Sequence, residues 1–267
     1  MSSTAQNPTP PTTSARRKFL NGTVTGVVST YVFNPFDRAL YLAMRDRTRF
    51  LDPRNWARPY QGVTTALYSR TLGYGIYFSL YDSLRQNMGL STLKASVVTG
   101  CVIPLANHPI NVVKMYNWNR DTSEGLVPLA KEMHRKYGPR IFALGLQYTM
   151  VRDVAFTTLF YGLTERFNRK KSFTRDVVLA STATALSSPL NYFRNSLYFS
   201  FNQHGRTGHV TFGEIFRDLQ RDVMGRGTTG DKVRYLFQDR FCVGWGTLRV
   251  GVGMALSKKI YEAVEGW

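Results

Sequence analysis

Three arginines, Arg70, Arg152 and Arg249, stand in long and mostly apolar surroundings, each downstream of a glycine: Gly62, Gly145 and Gly244. A guanidinium fork matches carboxylate and phosphate geometry, so three convergent forks would select a small anion. An arginine at bilayer depth is costly unless it meets water or a counter-ion, so its recurrence hints at function. Asp153 competes for one of them. Tyr74 and Phe78 follow Arg70 by one and two helical turns, share its face and could stack on a ligand. Plain helix packing is the alternative for these two rings. For the arginines, the alternative is a structural role against lipid phosphate or interhelix carbonyls.

A second recurrence surrounds three prolines: Asn34-Pro35-Phe36-Asp37, His108-Pro109-Ile110-Asn111 and Ser188-Pro189-Leu190-Asn191. Their spacings are 74 and 80 residues. Two residues after each proline stands a polar side chain, Asp37, Asn111 or Asn191; five after it come Leu40, Lys114 and Arg194. Each proline sits mid-way along a mostly apolar segment, where it removes a backbone donor and bends a helix. Six such segments, at about 18–44, 62–88, 92–118, 144–168, 173–202 and 241–265, carry few charges at their centres. None holds an unbroken apolar run of the ~20 residues that a lone spanning helix needs. Their interruptions are Gly, Pro, Ser, Thr, Asn and isolated Arg, as in helices with one face on lipid and one on a hydrated cavity. A soluble all-α protein is the alternative, and the mean hydropathy of −0.24 leans that way.

The chain has 267 residues, with 35 Lys+Arg against 17 Asp+Glu and a net charge of +18. Such a balance points to an anionic partner: a lipid surface, an acidic solute or nucleic acid. The basic residues are spread over the whole chain and no nucleic-acid motif is present, so nucleic acid is not expected. Two cysteines exclude a disulfide framework, and four scattered histidines exclude a His-rich metal centre. No catalytic constellation recurs, so an enzyme is not expected. The stretch from Gly225 to Lys232 is only superficially a phosphate loop, because Val233 stands where Ser or Thr must hold magnesium. It reads as a flexible surface turn.

Three units of helix, polar connection and helix account for the chain beyond a Ser/Thr/Pro-rich tail. They are a disordered tail at 1–16 and repeats at 17–91, 92–172 and 173–267. The proline recurrence resembles the Px[DE]xx[KR] pattern of the mitochondrial carrier family. Phe19-Leu20-Asn21-Gly22, with Gly26, Pro35 and Asp37, is similar to the opening of that family's first repeat. Gly22 and Gly26 form a GxxxG spacing suited to close helix approach; Gly100 keeps half of it in the second repeat, while Asp176 and Ala180 occupy both positions in the third. Leu129 to Gly145 is similar to the family's amphipathic matrix helix and following turn.

The resemblance implies an all-α membrane fold: six tilted transmembrane helices with pseudo-threefold symmetry around a cavity, plus short matrix helices. It implies multi-pass residence in the mitochondrial inner membrane. It assigns Arg70, Arg152 and Arg249 to solute binding, and Pro35, Asp37, Pro109, Asn111, Lys114, Pro189, Asn191 and Arg194 to a matrix gate. In that gate Asp37 is expected to pair with Lys114, Asn111 to reach Arg194 only by a hydrogen bond, and Asn191 to face Leu40 with no ionic contact. Tyr81, Asp82 and Arg85 match the family's cytoplasmic gate in full. Glu165 keeps the acid of that motif without its base, and Tyr261 with Glu262 keeps the aromatic and the acid. Tyr60-Gln61-Gly62 resembles a cardiolipin-binding turn with Gln in place of the base. The implied partners are the bilayer, cardiolipin and a small anionic solute moved by alternating access; no other cofactor is implied. The eroded gates and the long 203–240 connection support an alternative, an accessory or structural subunit of an inner-membrane complex.

Overall fold

The computed structural model describes residues 11–120, 124–167, 172–204 and 211–265. Among them the ordered elements are helical: α1 (Pro11–Asp46), α2 (Val63–Gln86), α3 (Thr92–Trp118), α4 (Leu126–Tyr137), α5 (Leu146–Arg166), α6 (Phe173–His204), α7 (Phe212–Met224), α8 (Thr229–Arg234) and α9 (Trp245–Glu265). Short 3₁₀ turns at Pro53–Trp56 and Pro139–Ala143 precede α2 and α5, and a π turn at Tyr235–Arg240 precedes α9. The six long helices coincide with the six apolar segments. Pro35, Pro109 and Pro189 all lie inside them.

These six form a ring. α1 packs on α2, α2 on α3, α3 on α5, α5 on α6 and α6 on α9, and α9 returns to α1. The glycines that precede the three arginines now have a physical role. Gly62, Gly145 and Gly244 each adopt positive φ (69°, 74° and 125°) immediately before α2, α5 and α9. A side chain there would strain the turn that starts each second helix of a pair.

Close backbone crossings set the pair geometry. A Cβ added at Gly22 would stand 2.5 Å from the Tyr74 carbonyl oxygen, and one at Gly26 2.8 Å from that of Arg70. At Gly100 it would meet Val154 Cα at 2.7 Å. In the third pair the small residue has moved to the partner helix: Gly251 of α9 lies against the Val177 carbonyl and Ser181 of α6. The freed α6 position, Asp176, is buried and receives Lys258 Nζ at 2.6 Å.

The polarity of α1 runs opposite to that of a soluble helix. Its buried face carries Asn21, Thr25, Ser29, Thr30 and Asn34, while Leu20, Val24, Val28, Tyr31 and Val32 are exposed. α3 likewise exposes Leu93, Val97, Val98, Val102 and Leu105 at helical spacing. Among the described residues, only Thr92–Trp118 is apolar enough by length and composition to span a membrane alone. α1 falls short because its inward face is polar.

Two expectations change. α1 begins at Pro11, so residues 11–16 are helical rather than part of a tail; proline's fixed φ suits a first helical turn. Residues 1–10 lie outside the described part. The stretch at 225–232 is a turn only to Thr228, whose hydroxyl accepts from Asp231 N and starts α8. The connection between α6 and α9 therefore carries two helices. α7 opens with a full capping box of Thr211 and Glu214, and it lays Ile215 and Leu219 against Tyr192, Phe193 and Leu197.

The crossing at Gly26 yields a stability test. Gly26→Val puts a branched side chain against backbone that cannot rotate away, at a cost of about 1–3 kcal/mol. Thermal unfolding of the detergent-solubilised protein should show a midpoint lowered by several degrees. An unchanged midpoint would remove this contact from the account of α1–α2 packing.

Candidate functional site

The ring encloses a cavity of about 360 Å³. Each proline-bearing helix presents the same four register positions to it: Asp37, Leu40, Tyr41 and Met44 from α1; Asn111, Lys114, Met115 and Trp118 from α3; and Asn191, Arg194, Asn195 and Tyr198 from α6. These stand two, five, six and nine residues after Pro35, Pro109 and Pro189, a spacing that keeps them on one helical face. Arg152 of α5 and Arg249 of α9 reach the same cavity. Arg70 and Tyr74 of α2 line an adjoining space of about 240 Å³ that shares Asn111, Lys114, Phe156 and Met254 with the first. The three arginines thus converge on connected space. The side chain of Phe78 lies outside the described residues.

Asp37 does not pair with Lys114. Its carboxylate is taken by two arginines: Arg249 meets it side-on, with Nε 2.5 Å from Oδ1 and Nη2 donating to Oδ2 at 2.5 Å, and Arg70 Nη2 donates to the same Oδ2. Arg70 Nη1 also donates to the Ser29 carbonyl at 2.8 Å, and the Arg249 guanidinium lies 4.9 Å from the Phe33 ring centre. Charge-assisted bonds from two helices to one carboxylate oxygen make this a strong side-chain contact. It prevails because two cations on neighbouring helices can share one carboxylate, where Lys114 offers a single point charge. Lys114 instead sits with its ammonium 5.1 Å from the Trp118 ring centre. Arg152 is paired with its neighbour Asp153.

Asn111 does not reach Arg194 either. Its Oδ1 accepts from Ser69 Oγ at 2.7 Å. Arg194 donates through Nη2 to Asn191 Oδ1 at 2.7 Å and to Asn195 Oδ1 at 3.1 Å, both on its own helix. Asn191 and Leu40 line the same cavity with no ionic contact between them.

Below these groups the cavity is closed by rings, not by ion pairs. Tyr41 stands 5.5 Å from Trp118 and 5.1 Å from Phe199, centre to centre. Tyr198, Met115 and α4's Leu129 and Met133 are buried in the same cluster. Asn119 Nδ2 donates to Tyr41 Oη at 2.6 Å, and Arg45 Nη1 donates to Asn119 Oδ1 at 2.8 Å, which pins the plug. Arg38 and Gln61 brace it from outside. Arg38 donates to the Ala57 carbonyl at 2.7 Å and to Gln61 Oε1 at 2.6 Å, while Trp118 Nε1 donates to the Gln61 carbonyl at 3.1 Å. Gln61 Nε2 donates to the carbonyls of Asn117 and Arg120. The glutamine of the expected lipid-binding turn is therefore buried and faces the protein. Past the helix ends, Glu132 hydrogen-bonds Arg120 and holds that guanidinium above its ordinary pKa.

The opposite end differs. Tyr81 stacks on Tyr161 with ring centres 3.8 Å apart and planes 7° from parallel, and Tyr77 lies beside them. Arg85 donates to the Leu90 carbonyl at 2.9 Å. Glu262 pairs with Lys259 of its own helix at 3.2 Å, Glu165 is exposed and Tyr261 is buried. Among the described residues, the contacts of Glu262 and Arg85 stay within their own helix pair or the turn that follows it.

Tyr41, Trp118, Tyr198 and Tyr161 were not singled out in the sequence. The first three had a usable signal, since continuing the proline register by one further turn lands on all of them.

No protein-family model matches the chain. Over 285 aligned positions it is 22% identical to the mitochondrial glycine transporter A of Danio rerio, covering 93% of this chain and 94% of that protein. The similarity supports a mitochondrial carrier-like transporter. It runs the full length of the helix ring rather than one motif, and it accords with a non-enzymatic role.

The Asp37 clasp gives the second test. Asp37→Asn strands two guanidinium groups without their counter-ion, and breaking such a pair costs about 3–5 kcal/mol. The unfolding midpoint should fall sharply, whereas Lys114→Ala should change it little. Equal losses for the two variants would indicate an Asp37–Lys114 pair instead.

Proposed function

We propose that this protein carries a small anionic solute across the mitochondrial inner membrane by alternating access. The observation that supports it is the inverted polarity of the helix ring: a cavity rich in arginine inside and apolar stripes outside. In water that arrangement exposes apolar surface and buries charge, both unfavourably. In a bilayer the outer stripes meet lipid and the guanidinium groups keep a hydrated lumen. On this reading all six long helices span, in three pseudo-symmetric pairs, although only one is apolar enough to be recognised alone. The basic rim around α4, with exposed Lys131, Arg135 and Lys136, suits cardiolipin headgroups.

Transport then requires two closures of similar free energy. The aromatic plug of Tyr41, Trp118, Tyr198 and Phe199 is one of them, at the end the resemblance assigns to the matrix. Solute would enter past Tyr81 and Tyr161 and reach the cationic lining of the cavity above the plug. The second closure would gather Tyr81, Asp82 and Arg85 with Glu165, Tyr261 and Glu262. A second reading, an accessory subunit of an inner-membrane complex that no longer cycles, is favoured by the Asp37 clasp, which locks α1, α2 and α9 together.

Reconstituted vesicles separate the two. The wild type should accumulate a small anion from a panel of carboxylates, nucleotides and amino acids, and Arg249→Ala should lower the initial rate at least tenfold. Absence of uptake, together with co-migration in a megadalton assembly of mild detergent extracts, would establish the accessory reading.

A further inference from the structure

Charge around the cavity does not balance. Lys114, Arg194, Arg152, Arg249 and Arg70 line the two connected spaces, and Asp37 and Asp153 are the carboxylates that engage them. Both carboxylates are already spent, Asp37 on Arg70 and Arg249, Asp153 on Arg152. Lys114 and Arg194 are left. Among the described residues Lys114 has an aromatic neighbour and no hydrogen bond or ion pair, and Arg194 is held only by neutral asparagine oxygens. They project from α3 and α6, adjacent in the ring interior, at the same register position five residues after Pro109 and Pro189.

We infer that Lys114 and Arg194, rather than the three arginines of the even helices, form the seat of a small dianion, a short dicarboxylate or a phosphate. This rests on the transport reading for its purpose but not for its chemistry. Two cations that make no ion pair in one low-dielectric space are costly, and a ligand with two negative charges relieves both at once. A monoanion relieves one, and a zwitterion brings an ammonium into a space that already holds excess positive charge. The cavity volume falls in the range of small-molecule sites. The seat also lies directly above the plug: Lys114 touches Trp118, and Arg194 shares its helix face with Tyr198.

Near-isosteric variants test the seat without emptying the cavity. Asn111→Asp and Asn191→Asp, combined, give Lys114 and Arg194 a carboxylate three residues away on their own helices. Purified protein in detergent would be titrated with succinate, inorganic phosphate, acetate and glycine at constant ionic strength and pH 7.5, with the unfolding midpoint as readout. Wild type should be stabilised saturably by succinate, phosphate or both, and not by acetate or glycine. Response to one of the two dianions assigns carboxylate or phosphate chemistry. The double variant should keep or raise its ligand-free midpoint and bind the same dianion at least tenfold more weakly. No dianion response in wild type, or equal affinity in the double variant, overturns the seat. A dianion response that depends on these residues in a protein that fails in vesicles leaves the seat standing and removes transport. Anion uptake in vesicles that the double variant leaves unchanged does the reverse.

Discussion

One carboxylate holds the ring closed. Asp37 lies on the first helix of the ring and receives Arg249 from the last, with Arg70 from the second on the same oxygen. The contact between α9 and α1 is the junction that turns a row of helices into an enclosure, and Asp37 sits in it. Every other feature of the cavity depends on this closure. Because guanidinium groups from two helices meet on one oxygen, it ties both α9 and α2 to α1. Because it uses the one lining carboxylate, it also determines which cations remain available to a ligand.

The lower end of the cavity illustrates how a closure can keep its place while changing its physics. Ionic gates hold by Coulomb attraction in a partly dry space and fail when either member is lost. Here asparagine stands at 111 and 191 and leucine at 40, and the carboxylate at 37 pairs with Arg249 and Arg70 rather than with Lys114. The seal is made one turn deeper, by Tyr41, Trp118, Tyr198 and Phe199, with Asn119 and Arg45 pinning Tyr41. Apolar and aromatic contacts carry no charge-desolvation penalty when they form, so such a plug seals without paired charges. Arg38 and Gln61 stiffen it from the periphery by tying the α1–α2 connection to the end of α3.

The helix ring also accounts for the low mean hydropathy. Averaged over a window, Asn21, Thr25, Ser29, Thr30 and Asn34 cancel Leu20, Val24, Val28, Tyr31 and Val32, although the two sets never share a face. Glycine and threonine on the inward face permit the tight α1–α2 crossing, and the same economy recurs at Gly100. In the third pair it is inverted, with Gly251 on α9 compensating for the larger residues of α6. A position-by-position search for GxxxG in the first helix of each pair misses this, because either surface of a crossing can supply the gap.

The sequence by itself determined the six helices, the proline register and the three glycine-to-arginine connections. These are local properties: apolar periodicity, the missing donor of proline and the positive φ of glycine act within a few residues of themselves. That the arginines would converge was implied by the family resemblance rather than by any local property. What the sequence left open was who pairs with whom. Asp37 is 77 residues from Lys114 and 212 from Arg249, and nothing local distinguishes these partners. Only the packed ring decided, because the strength of an ion pair depends on distance, geometry and competition among cations that meet solely in three dimensions.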